Sequence, residues 1–214
     1  MVSSAEVARL ASRTRKRPEE RREEILAAAA AIAVEAGLER ITLRAVAERL
    51  GVRPGLITHY FPAAEDLVIA AFARAAAIER EKFFPSNGDA LSRLAHFLRY
   101  IESGASLPLA RLWLNARHLS RFSDALGEAL EEQDVLDRTR LTALVASGIA
   151  EGVFADVDPE AACIRIFIAV DGVGSYVNNG PFDSDTYNRF AVDVAEWTLG
   201  LVTGTLRAVV DAGR

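Results

Sequence analysis

Residues Thr42 to Phe61, TLRAVAERLGVRPGLITHYF, restrict the fold of this chain more than any other stretch. Leu43, Val46, Ala47 and Leu50 recur at the spacing of one buried helical face. Thr42 stands where a side-chain oxygen caps the first free amides, and Gly51 tolerates the positive φ that ends a helix and turns the chain sharply. Pro54 suits the first turn of a second helix, where its missing N–H costs nothing. The spacing therefore predicts a helix-turn-helix. Its second helix, with Leu56, Ile57, Thr58, His59 and Tyr60, mixes one or two core residues with small and hydrogen-bonding side chains, a face that can meet DNA.

Charge distribution supports that expectation although total charge does not. The 214 residues carry a formal net charge of −5, but residues 1 to 62 hold 11 basic and 8 acidic side chains, while residues 63 to 214 hold 14 and 22. Basic charge is thus concentrated at the end that bears the motif. Residues 1 to 18, with Arg9, Arg13, Arg15, Lys16 and Arg17, read as a basic arm. Such an arm is either disordered and solvated or ordered against phosphates or a minor groove when DNA is bound.

From Pro18 a helix is expected, with Ile25, Ala29, Ile32, Ala33 and Ala36 on one stripe and Gly37 at its end. Leu38 and Ile41 bridge it to the motif. Residues 19–63 make a three-helix domain, and a connecting helix follows over 64–84 with Leu67, Ala71 and Ile78 for packing. Pro85, Ser86, Asn87 and Gly88 are four turn residues in a row and mark the domain boundary. Beyond them, residues 85–214 read as helices only: Ala90 to Glu102, Leu107 to Phe122, Ser123 to about Phe154 with a bend near Gly148, Pro159 to Val177, and Ser184 to Asp211. Asn178 to Pro181 form the last loop. The expected fold is all-α, a helix-turn-helix domain followed by a C-terminal helical bundle.

The final two helices are more apolar than one subunit's surface requires. Gly172, Gly174, Gly200 and Gly204 would allow close backbone approach, and Trp197 offers a large contact, either within the subunit or across a two-fold dimer interface. The single Cys163 excludes an intramolecular disulfide and reads as a small core residue. No apolar run is long enough to span a bilayer and no secretory leader is evident, so the expected setting is the cytoplasm, without membrane contact.

From Arg22 to Leu67 the chain resembles the TetR family of bacterial transcriptional regulators, through EEILAAAAAIAVEAG, TLRAVAERLGV and the segment Gly55 to Phe61. Thr58, where most members place tyrosine, makes that segment similar to the branch containing the betaine-responsive repressors. RLWLNARHLSRFSDAL, Glu151 to Phe154, DPEAA from Asp158, and Asp171-Gly172 extend the likeness into the C-terminal half. The resemblance implies an all-helical dimeric repressor that binds a near-palindromic double-stranded operator and responds to a small-molecule effector, with no cofactor. Two positions depart from the family's pattern. Arg53 replaces the usual Ser or Thr cap, and Ala64 stands where many members have lysine.

Candidate DNA contacts are Thr42, Arg44, His59 and Tyr60 toward the backbone and Arg53, Pro54, Gly55, Leu56 and Thr58 at the recognition helix, with Leu56 alternatively in the core. Phe97, Trp113, Asn115 and His118 combine apolar bulk with polar groups and are candidate ligand contacts; each also suits core or surface. Catalysis is not expected. The histidines His59, His96 and His118 lack metal-ligand spacing, and no nucleophile motif or glycine-rich phosphate loop occurs. A helical interaction module without DNA binding is the remaining alternative.

Overall fold

The computed structural model describes residues 16–177 and 185–213. Within them, α1 (Pro18–Ala36), α2 (Leu43–Leu50) and α3 (Pro54–Tyr60) form the head. The long helix α4 (Ala64–Phe83) leaves it for a bundle of α5 (Ala90–Glu102), α6 (Leu107–Leu119), α7 (Asp124–Ala150), α8 (Pro159–Val177), α9 (Asp185–Thr198) and α10 (Thr205–Ala212). Short 3-10 turns, Leu38–Arg40 and Ser120–Phe122, sit after α1 and α6. Among the described residues there is no β-strand. Of the basic arm only Lys16 and Arg17 fall within these residues; Arg9, Arg13 and Arg15, and the loop Asn178 to Pro181, lie outside them.

Local signals in the head are realised as expected. The Thr42 hydroxyl accepts from Ala45 N–H at 2.9 Å, Gly51 takes φ 64°, and Pro54 opens α3. Ile25, Leu38, Val46, Ile57, Phe61 and Leu67 are all buried and close a small core. Ala36 and Ile78 lie on the exposed side of their helices instead. A three-helix unit buries too little apolar surface to stand firmly alone. Here it leans on α4, whose Leu67, Ala71 and Phe72 are buried, and one apolar core continues from Ile25 to Val210.

Two expected helices in the bundle end early. Helix α7 stops at Ala150 because the Phe154 ring folds back over Gly148, so closely that a Cβ there would lie 2.2 Å from it. Val153 and Phe154 N–H both donate to the Gly148 carbonyl, at 2.9 and 3.1 Å. The expected final helix is broken between Thr198 and Thr205, with Gly200 at φ 66° and Gly204 at φ 91°. Gly200 admits Ala155, whose N–H donates to the Leu199 carbonyl at 2.9 Å. Buried Glu196 then restarts the helix: its carboxylate accepts from the N–H groups of Gly204, Leu206 and Arg207 at 2.8, 2.8 and 3.0 Å. A carboxylate at that end satisfies free amides and complements the helix dipole.

Candidate functional site

Seven of the nine expected DNA contacts are exposed, all within α2 and α3 and their N-terminal caps. Arg53, Pro54, Gly55, Thr58 and His59 are exposed on α3, and Thr42 and Arg44 are exposed at the start of α2. Leu56 and Tyr60 are half-buried and pack at the edge of the core, whereas Ile57 turns fully inward. Gly55 has nothing within 4 Å of where a Cβ would project, so the α3 backbone itself is open to close approach. The Arg53 side chain caps no amide, which leaves its guanidinium free of the helix it precedes. Thr58 returns its hydroxyl to the Pro54 carbonyl at 3.3 Å and leaves its methyl and oxygen at the surface. Arg44 pairs with Glu48 at 2.8 Å, and His59 stacks edge-on against Tyr60.

Side-chain contacts also join the helices of the head. Arg49 and Glu35 make a two-point ion pair, both bonds 2.7 Å, between α2 and α1. The Arg22 guanidinium lies over the Phe61 ring at 4.9 Å. Arg74 on α4 pairs with Glu23 on α1. These contacts tie α2 and the chain after α3 to α1, and α1 to α4.

A cavity of about 560 Å³ lies in the bundle, within the usual range for a small-molecule site. Phe83, Phe97, Trp113 and Phe167 give it aromatic walls, and Asp134, Asp137 and Asp171 bring carboxylates to it. Of the four candidate ligand contacts, Phe97 and Trp113 line it. Asn115 points the other way, into the head, and His118 packs against Phe122. The Asn115 carbonyl accepts from Leu38 N–H at 2.8 Å while its amide donates to Glu39 at 2.9 Å.

Electrostatically, the cavity's carboxylates are tied to arginines. Arg117 reaches Asp171 at 2.9 Å and Asp134 at 3.8 Å, with its guanidinium 5.4 Å from the Trp113 ring. Arg80, on the helix that leads to the head, pairs with Asp137 and donates to the Gln133 side chain at 2.9 Å. Burial nevertheless pushes the Asp137 carboxyl up to about 6, against the pull of Arg80. Burial raises Asp171 as well, against Arg117. Asp134, Asp137, Asp171 and Arg117 were not legible as a site in the sequence, where only the i, i+3 spacing of the first two hints at a shared face.

The glycines expected at a dimer interface have separate roles. Gly174 lies against Ala110, with a Cβ there only 3.2 Å from the alanine methyl, and Gly172 lines the cavity. Gly200 and Gly204 form the break described above, which replaces the helical spacing expected for them. Trp197, by contrast, is 75% exposed, and Ile164, Ile168, Tyr176 and Phe190 on α8 and α9 are exposed as well.

Residues 25–71 match the sequence profile of the tetR family of bacterial regulatory proteins. The match covers the helix-turn-helix head, which is similar to the head of TetR-family regulators. A 55-residue segment is 46% identical to the HTH-type transcriptional repressor KstR of Rhodococcus jostii and equally to that of Mycolicibacterium smegmatis. Those matches span about a quarter of the chain, and 26% and 27% of the two repressors. Over the rest of the chain, likeness is one of fold. A TetR-family transcriptional regulator from Rhodococcus sp. superposes with TM-score 0.73 at 20% identity, over 85% of this chain and 99% of its own. A transcriptional regulator from Saccharomonospora viridis, solved in complex with choline, does so with TM-score 0.69 at 21% identity, over 83% and 96%. Among the described residues no helix is long and apolar enough to cross a membrane, and no three His, Cys, Asp or Glu side chains gather as a metal site.

Proposed function

We propose that this chain is a ligand-responsive transcriptional regulator, a repressor that binds a near-palindromic operator as a homodimer in the cytoplasm and is released by a small-molecule effector. One observation carries the reading: the two helices that bear on the TetR head, α4 and α6, also line or grip the cavity. Arg80 of α4 binds Asp137, Trp113 and Arg117 of α6 face the cavity, and Asn115 of α6 holds Leu38 and Glu39. A ligand that favours one arrangement of α4 and α6 thereby favours one placement of α3.

In this reading residues 19–63 recognise DNA, 64–84 connect, and 85–214 bind effector and dimerise, with residues 1–18 as an arm that meets phosphates. Helix α2 crosses the backbone through Thr42 and Arg44, His59 and Tyr60 add phosphate contacts, and Arg53, Pro54, Gly55 and Thr58 meet base edges. The KstR relatives are named as repressors, which supports the direction of control. The Thr58 form of the recognition helix and the segment from Arg111 to Leu126 support placement in the betaine-responsive branch, and the choline-bound neighbour shares the fold. Exposed Ile168 and Trp197 support a dimer built on α8 and α9.

A gel-shift titration of the full chain on the DNA upstream of its own gene, across a salt series, tests the proposal. Specific retardation at moderate salt, steeply weakened as salt rises, is expected. Absence of a specific shift on any promoter fragment refutes it.

A further inference from the structure

We propose that the cavity is a half-site, closed on its outer side by the partner subunit, so that effector binding and dimerisation are linked. The inference rests on the homodimer part of the regulator reading and adds how the effector site is completed.

Small-molecule sites enclose most of their ligand's surface. Within one subunit this cavity does not: Phe83 and Phe97 form a buried back wall, but Ile168, Asp171 and Arg117, which also line it, are exposed. Ile168, Asp171, Gly172 and Ser175 all border the cavity and follow the i, i+3, i+4, i+7 spacing of one face of α8. Ile164, one turn earlier on that face, is exposed too. Gly172 leaves a notch in the outer wall, since nothing lies within 4 Å of where its Cβ would project. The open side of the cavity and the exposed apolar stripe of α8 are therefore one surface.

The stripe itself selects a second copy as its cover. Large Ile164 and Ile168 occupy its first half, and small Gly172 and Ser175 its second. A two-fold axis perpendicular to α8 sets each half against the opposite half of its copy, so bulk meets the notch. Charge obeys the same rule, because Arg117 and Asp171, 2.9 Å apart, bring both signs to the rim. Helix α9 extends the surface: Trp197 is exposed with the Arg165 guanidinium of α8 5.9 Å from its ring, and Phe190, two turns earlier, is exposed as well. Docking on this face buries Ile168 and covers the gap at Gly172 in the same step.

The consequence is regulatory. A ligand held between the cavity's own walls and the partner subunit strengthens the dimer by the same factor by which dimerisation tightens the ligand. It also bears directly on how the two subunits, and hence their heads, are spaced.

Titration of the full chain with N-phenyl-1-naphthylamine, a neutral dye that brightens in apolar sites, tests the linkage when run beside light scattering. Dye affinity should fall at least about tenfold as the parent is diluted through its dimer–monomer midpoint, and equally in Trp197→Glu at a concentration where the parent is dimeric. Val170→Phe narrows the cavity from α8 without touching the stripe, and should weaken the dye several-fold in a protein that stays dimeric. Independently, Ile168→Cys should react with a maleimide at least about tenfold more slowly as a dimer than in combination with Trp197→Glu; the native Cys163 is buried. No dye binding by the parent, equal dye affinity in dimer and monomer, dye binding indifferent to Val170→Phe, or equal labelling rates overturns the proposal. A stable dimer with any of these results refutes this inference alone, whereas a parent that is monomeric at every concentration refutes the homodimer reading and this inference with it.

Discussion

Asn115 and Leu38, 77 residues apart in sequence, are joined by a 2.8 Å hydrogen bond from the Leu38 backbone N–H to the Asn115 side-chain carbonyl. The bond lies where α6 meets the 3-10 turn after α1, and it turns a bundle helix into a support for the head. In Asn115→Leu the N–H of a buried residue loses its acceptor, at a cost of roughly 2 kcal/mol. Thermal denaturation should show a midpoint lower by about 4–8 °C, given the usual scaling for a chain of this size. Glu39→Gln keeps an acceptor for the Asn115 amide and should leave the midpoint nearly unchanged. Equal midpoints for Asn115→Leu and the parent would remove Asn115 as a structural tie.

Arg53 and His59 are both exposed on α3, but they face different parts of a duplex in the proposed complex. Arg53→Ala should flatten sequence preference, with a loss of about 1–3 kcal/mol on the best operator and little on unrelated DNA. His59→Ala should weaken binding to all sequences by a similar factor. Competition gel shifts against operator and scrambled duplexes measure both ratios, and a reversed pattern would exchange the two assignments.

Trp197 and Ile168 are 75% and 66% exposed on helices α9 and α8. Large apolar side chains of this kind carry much of the energy of an interface. Trp197→Glu should convert the proposed dimer to a monomer in light scattering coupled to size exclusion. Operator affinity should fall by a factor of about 10² or more, because the two heads no longer bind as a linked pair. A parent protein that is already monomeric would place the interface elsewhere or nowhere.

Asp137 has a carboxyl raised to about 6 by burial, with Asp134 and Asp171 adding to the rise and Arg80 opposing it. An unfolded aspartate titrates near 3.9, so between about pH 4 and 6 the native chain holds more proton than the unfolded one. Stability from this group therefore falls as pH rises through that window, by up to about 3 kcal/mol, and the full cost is present above it. Urea unfolding at pH 5 and pH 7.5 should show the parent more stable at the lower pH from this source. Asp137→Asn should lose most of the difference while Arg80 keeps its bonds to Gln133. Asp171 is raised in the same direction. An undiminished difference in the variant would assign it to other groups.

The sequence by itself determined the head. Thr42, Gly51 and Pro54 act through hydrogen bonds and φ angles within four residues of themselves, and the stripe through Ile25, Ile32 and Ala33 follows from helical period alone. The expected helix starts at Leu107 and Pro159 hold for the same reason: Pro108 falls in the first turn of α6, and the Asp158 carboxylate accepts from Glu160 N–H at 2.9 Å. Tertiary structure decided the rest. Phe154 on Gly148 ends α7, while Ala155 under Gly200 and Glu196 beneath Gly204 split the last helix, and none of these pairs has a helical spacing that periodicity registers. Asn115 was expected among the ligand contacts, and only packing shows that its side chain is turned to the head instead. The cavity was hidden for the same reason, since Arg117, Asp134 and Asp171 come from three helices and acquire their common chemistry only where those helices meet.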